Sequence, residues 1–139
     1  MIRILIGPKG AGKTKVFIHM VNEAYETEKG NVVCITKGDR HTFDISSGVR
    51  LVDTDDFDVT SAGAFYGLIC GIISQNYDIT HIFIDSITKL AKIDLEKTNE
   101  MIPSLEKLSE KFSVAFTIAI SSDNEPIPEH IDRYRVSFQ

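Results

Sequence analysis

The chain has 139 residues, of which 42% are hydrophobic and 25% are charged, and these values are typical of one globular domain. Its net charge of −5 disfavours broad electrostatic binding to nucleic acid or to an anionic membrane. The apolar runs are too short to cross a bilayer, and a strand-like run starts at residue 2, where a signal peptide would stand. We therefore expect a cytoplasmic protein with no membrane partner.

Hydrophobic patterns predict strands that alternate with helices. In chain order, we predict a strand at residues 2–6, a helix at 13–28, strands at 31–36 and 49–52, a helix at 61–76 capped by Ser61, a strand at 81–84, a helix at 98–111 and a strand at 113–120. This alternation indicates an α/β protein with three α/β/α layers around a mainly parallel sheet of about five or six strands. We assign it to a single domain over residues 1–139.

Three segments are less regular. Residues 42–53 are interpreted as a short hairpin or excursion that includes the strand at 49–52. Pro103 is expected within the first two turns of its helix. The loop at 85–98 could be partly helical, and residues 135–138 could add a last edge strand.

Residues 7–14 match the pattern GxxxxGK[ST] at every required position. The pattern follows a predicted buried strand and opens an amphipathic helix, which is the context that a phosphate-binding loop requires. Glycines allow the backbone to approach phosphates closely, and the amides and helix dipole attract anions. Lys13 can then contact the β- and γ-phosphates, and the Thr14 hydroxyl can bind Mg²⁺. The alternative is a glycine-rich turn without a ligand.

The predicted nucleotide-binding residues are Gly7, Pro8, Lys9, Gly10, Ala11, Gly12, Lys13, Thr14 and Lys15. No NKxD-type guanine-reading motif occurs, which favours ATP, with Mg²⁺, as the ligand.

Asp85 directly follows a predicted buried strand, the position of the second Mg²⁺ anchor in P-loop sites. We predict that Lys13 and Asp85 are catalytic and that Thr14 and Asp85 hold the metal, although Asp85 could instead cap the next helix. The following residue is Ser86, a weak base that activates water poorly. Ser86 therefore predicts either slow turnover or a catalytic carboxylate that comes from elsewhere. The candidates are Asp39, Asp53, Asp55 and Asp56, each of which could equally be a solvated loop charge.

Less evidence supports the remaining candidate site residues. Ser121 or Ser122 could face the γ-phosphate, or form an ordinary strand-end turn. Arg133 and Arg135 could contact the nucleotide, although surface positions are expected. The cysteines, Cys34 and Cys70, are expected to be reduced and buried, and neither they nor the four histidines have the spacing of a metal site.

The phosphate loop and Asp85 resemble the P-loop NTPase superfamily, and an extra strand between the first strand and the Asp85 strand resembles its RecA-like branch. The layout is similar to the nucleotide-binding core of type II thymidine kinases, including residues 32–37 followed by Asp39 and Arg40. The resemblance implies this fold and ATP binding. Two features depart from those kinases, which carry a catalytic glutamate at the position of Ser86 and a four-cysteine zinc lasso.

The leading hypothesis is an ATP- and Mg²⁺-binding protein with slow or partner-dependent ATPase activity, acting as a nucleotide-controlled switch. One alternative is a small-molecule or nucleoside kinase in which Asp53 or Asp55 replaces the missing base. Another is a non-enzymatic interaction module that keeps a bound nucleotide. In that case the apolar helix at 62–73 could contact a protein partner or a second copy of the chain.

Overall fold

The computed structural model describes residues 1–123 and 125–138 and has α/β architecture. The strands are β1 (Ile2–Gly7), β2 (Asn31–Thr36), β3 (Arg50–Asp53), β4 (Ile79–Ile84) and β5 (Ala115–Ser121), and the helices are α1 (Lys13–Thr27), α2 (Ala62–Gln75), α3 (Ile87–Leu90), α4 (Leu95–Phe112) and α5 (Glu129–Arg133). A single 3₁₀ turn at Thr54–Asp56 follows β3. The predicted alternation of strands and helices is confirmed.

The strands form one parallel sheet in the order β1-β5-β4-β2-β3. In register, Gly7 lies opposite Ser121, and Thr36 lies opposite Asp53. The carboxyl ends of all five strands therefore share one edge of the sheet. Ligands of open α/β sheets bind at this edge.

The core has two parts, one on each face of the sheet. One cluster combines Phe17 and Val21 of α1 with sheet residues such as Phe83. The other combines Phe65 of α2 and Ile102 of α4 with the opposite face. Parallel strands covered on both faces are nearly continuous in hydrophobicity, and this explains why they could be found from sequence.

Of the two interpretations of residues 42–53, the hairpin is wrong and the excursion with one strand is confirmed. Only Arg50–Asp53 forms a strand, and the preceding residues form turns. Asn22 in α1 explains the difference, because its side chain donates to Asp44 O at 2.9 Å and accepts from Ser46 N at 2.8 Å. These backbone groups bond to a helix side chain rather than to a neighbouring strand.

Helix α4 begins three residues earlier than predicted. Asp94 caps it, accepting a hydrogen bond from Lys97 N at 2.8 Å. Pro103 consequently lies in the middle of this 18-residue helix, so its predicted position in the first two turns is wrong. The loop after β4 is partly helical, since it contains α3.

The predicted last edge strand is reduced to one parallel bridge between Arg135 and Ile4. Ile4 N donates to Tyr134 O, and Val136 N donates to Ile4 O, both at 2.9 Å. Gln139 lies outside the described residues. Among the described residues the cysteines are free thiols. The prediction that both are buried is confirmed for Cys34 and wrong for Cys70, which is half-buried.

Candidate functional site

The phosphate loop connects the end of β1 to the start of α1. Gly10 and Gly12 have left-handed backbone conformations, with φ of 87° and 88°. Residues with a side chain rarely adopt these conformations, so both glycines are required by the backbone itself. Within the described part of the chain, a Cβ added to either glycine would have no heavy atom within 4 Å, so the loop faces open space.

The first amides of helix α1 have no acceptor within the helix. Its N-cap is Gly12, which has no side chain to bond to the first turn. The first backbone bond of the helix runs from Val16 N to Gly12 O at 3.4 Å. The amides of Lys13, Thr14 and Lys15 therefore have no acceptor within the helix, and they lie at the positive end of its dipole. Such an end attracts anions.

Lys13 is buried at this helix start, with 7% of its surface exposed, whereas Thr14 and Lys15 are exposed. Burial lowers the pKa of Lys13, the charge of Asp85 raises it, and the charge of Lys89 lowers it, so the pKa lies below its usual value. The two predicted catalytic residues are thus close enough to influence each other. Sequence reasoning missed Lys89, which lies on α3.

Asp85 follows β4 and is 4% exposed. Its Oδ2 atom lies 2.7 Å from His41 Nε2 and 3.6 Å from Arg40 Nη1. The Ser86 hydroxyl donates to its Oδ1 atom at 3.2 Å. Both carboxylate oxygens therefore have hydrogen-bond partners, His41 in the loop after β2 and the adjacent Ser86. The N-cap of α3 is Ser86, without a side-chain cap bond, so the alternative prediction that Asp85 caps this helix is wrong.

Burial raises the pKa of Asp85, but the hydrogen bond and charge of His41, together with Arg40 and Ser86, hold it below its usual value. The carboxylate is therefore ionised at neutral pH. This is the protonation state that a metal anchor needs.

Sequence reasoning did not find His41 as a site residue. It lies in the loop after β2, where no motif marks it. Its proximity to Asp85 follows from the pairing of β2 with β4, which brings the ends of these two strands together. Only the strand order could have revealed the contact, and the strand order is a tertiary property.

The alternative carboxylates lie near β2 and β3. Asp53 Oδ1 accepts hydrogen bonds from Gly38 N at 2.7 Å and Asp55 N at 2.9 Å. Asp55 pairs with Lys37 at 3.4 Å. Asp39 and Asp56 are exposed. The structure brings none of the four into contact with Asp85 or Lys13 among the hydrogen bonds and ion pairs of the described residues.

The other residues considered from sequence are two serines at the carboxyl edge of the sheet, two arginines and His81. Ser122 lies at the edge, where its amide donates to Gly7 O at 3.0 Å, and Ser121 ends β5. Arg133 and Arg135 are exposed, and Arg135 lies 3.8 Å from Asp132. His81 lies towards the opposite end of β4 and bonds to Glu28 and Thr117.

No protein-family model matches the chain, and no curated protein matches it significantly. Over residues 1–123 and 125–138, none of the helices is long and apolar enough to cross a membrane.

This edge of the sheet holds oxygen and amide groups of the kinds that bind metal ions and phosphates. Within the described residues, no three His, Cys, Asp or Glu side chains converge on a common point that could hold a metal. Mg²⁺ does not require such a cluster, because it binds through one or two protein oxygens together with phosphates and waters. Thr14 and Asp85 can provide those protein oxygens, and the amides at the start of α1 can receive the phosphates.

Proposed function

We propose that this protein binds a nucleoside triphosphate, ATP with Mg²⁺, at the carboxyl edge of its sheet. One observation carries the proposal. Two left-handed glycines turn the chain into a helix start with free amides, beside a buried lysine that lies near a buried, ionised aspartate. Every helix start has amides without an intrahelical acceptor, so the buried lysine is the discriminating feature. A turn without a ligand does not need it, and burial of an unneutralised charge is costly.

Each group has a role in this proposal. The amides of residues 12–15 bind phosphate oxygens, whereas the Ala11 amide already donates to Pro8 O at 3.3 Å. Lys13 places a positive charge on the β- and γ-phosphates. Thr14 and Asp85 hold Mg²⁺, which neutralises phosphate charge when it is bound. The order β1-β5-β4 also separates the phosphate-loop strand from the Asp85 strand by one strand. This supports the resemblance to RecA-like P-loop NTPases.

We further propose that hydrolysis is slow or depends on a partner, so that the bound nucleotide acts as a switch. Ser86 is 7% exposed, and its hydroxyl bonds to Asp85. It therefore stabilises the anchor and does not activate water. Asp53 and Asp55, which a kinase would need as replacement bases, bond to the neighbouring loop instead.

Isothermal titration calorimetry with ATP and Mg²⁺ tests binding. We expect Lys13→Ala to weaken ATP binding by at least about tenfold, the effect of losing one charge-assisted hydrogen bond. Lys107→Ala is the matched control, because Lys107 is an exposed lysine on α4, and it should leave the affinity unchanged. No heat from the folded wild-type protein with ATP or GTP would reject the proposal.

Phosphate release tests the switch separately. We expect turnover near background for the purified protein. Fast unassisted turnover that is lost in Lys13→Ala would show a self-sufficient ATPase, and it would reject partner dependence while leaving nucleotide binding intact.

A further inference from the structure

The contact between His41 and Asp85 is buried on both sides. Each side chain is 5% exposed, and His41 Nε2 lies 2.7 Å from Asp85 Oδ2. Exposed ion pairs contribute little, because solvent screens them and the side chains lose entropy. A short contact between two buried groups is different, since it fixes both side chains in one geometry.

The loop itself is fastened to helix α1. The carbonyl of His41 accepts hydrogen bonds from Asp44 N and Ile45 N, both at 3.1 Å. Ile45 is 5% exposed and packs in the core on the α1 side. Asn22 of α1 bonds to Asp44 and Ser46. The backbone segment that carries His41 is therefore attached to α1, the helix that begins at residue 13.

We propose that His41 is a positioning residue for the metal anchor. It fixes the orientation of the Asp85 carboxylate before Mg²⁺ binds, and it connects the loop at residues 37–49 to the occupancy of the site. This inference rests on the proposed function and extends it to a residue that no motif marks. Some side chains hydrogen-bond to a metal ligand and so fix its orientation. Removal of such a side chain typically lowers metal affinity or activity by about 10- to 100-fold.

A competing role for His41 predicts the opposite change in magnesium-dependent binding when the residue is removed. If the imidazole occupied the position that the metal needs, its removal would strengthen magnesium-dependent binding. Positioning predicts a weakening. The direction of the change therefore distinguishes the two roles.

The test is calorimetry of ATP binding with Mg²⁺ and with EDTA. The quantity compared is the magnesium factor, the ratio of the Kd in EDTA to the Kd in Mg²⁺. We expect His41→Ala to reduce this factor by about tenfold or more and to change the Kd in EDTA less than about twofold. His41→Leu, which fills the buried space better, should give the same result if the alanine variant does not fold.

Two further variants separate positioning from a general loss of structure. His41→Gln keeps an amide donor near the position of Nε2, and we expect it to recover most of the magnesium factor. His19→Ala removes a histidine whose side chain is 76% exposed and should change nothing.

Magnesium factors equal to or larger than wild type in His41→Ala or His41→Leu would overturn the inference. In that case wild-type binding would still support the proposed function. Absence of nucleotide binding by the wild-type protein would instead reject the proposed function, and this inference with it.

Discussion

Acid should destabilise the protein through His81, a buried histidine of β4. It is 1% exposed, its Nδ1 lies 2.7 Å from Glu28 Oε2, and its Nε2 lies 2.8 Å from Thr117 Oγ1. Neutral imidazole satisfies both contacts if Nδ1 donates to Glu28 and Nε2 accepts from Thr117. Burial lowers the pKa of His81 below its usual 6.5, and the opposing influence of Glu28 is smaller. Arg3 and the N-terminal amine lower it further.

The direction of the pH effect on stability follows from how many protons the folded and unfolded states bind. Below pH 6.5 the unfolded chain protonates His81, whereas the folded protein resists protonation until the pH reaches the lowered pKa. The unfolded state therefore binds more protons in this window, and the free energy of unfolding falls as the pH decreases. One proton limits the slope to about 1.4 kcal/mol per pH unit. The loss at pH 5.5 relative to pH 8 is therefore at most about 1.4 kcal/mol from this residue.

Urea unfolding at pH 8.0, 6.5 and 5.5 measures this loss. His81→Asn keeps an amide donor toward Glu28 but does not titrate, so each protein is compared with its own value at pH 8.0. We expect the wild type to lose more stability than the variant between pH 6.5 and 5.5, and His19→Asn, a change at an exposed histidine, to behave like the wild type. Equal losses in the wild type and His81→Asn would refute the reasoning.

Two matched pairs of substitutions test the backbone and the core by urea unfolding at pH 7. Gly12→Ala should lower the free energy of unfolding by about 1–2 kcal/mol, because residue 12 has a left-handed backbone conformation. Gly67→Ala, at an exposed position within α2, should raise it by about 0.5–1 kcal/mol. Equal changes in the two variants would contradict the conformation assigned to residue 12. Phe83→Ala should cost about 3–5 kcal/mol, because Phe83 is fully buried. Phe43→Ala, at a residue 98% exposed, should stay within about 0.5 kcal/mol of wild type, and a large loss there would show that Phe43 is covered in solution.

Sequence patterns predicted the parts of the fold that depend on burial alone. Both faces of β2 and β4 are covered, so their apolar runs are continuous and easy to recognise. The pattern was misleading where a polar side chain elsewhere in the chain decides the structure. Within residues 42–53, Asp44 and Ser46 bond to the side chain of Asn22, and both bonds span more than twenty residues of sequence.

The residues of the candidate site likewise fall into those that the sequence predicted and those that it did not. Lys13 and Asp85 could be predicted because a local motif and a strand end determine where they lie. His41 and Arg40 could not, since they reach Asp85 only when β2 pairs with β4. Lys89 was missed because the sequence left the helical content of the segment after Asp85 open, and α3 brings this exposed lysine close enough for its charge to affect Lys13.

Ser86 explains why nucleotide binding and hydrolysis are proposed to be separable in this protein. It has a left-handed backbone with φ of 55°, is nearly buried, and donates its hydroxyl to Asp85. A glutamate here would place a second carboxylate beside an ionised one, and like charges at such a distance raise each other's pKa. A small neutral donor instead helps to keep Asp85 ionised. Under the proposed function, residue 86 favours a stable metal anchor over activation of water, and rapid turnover would need a base from a partner.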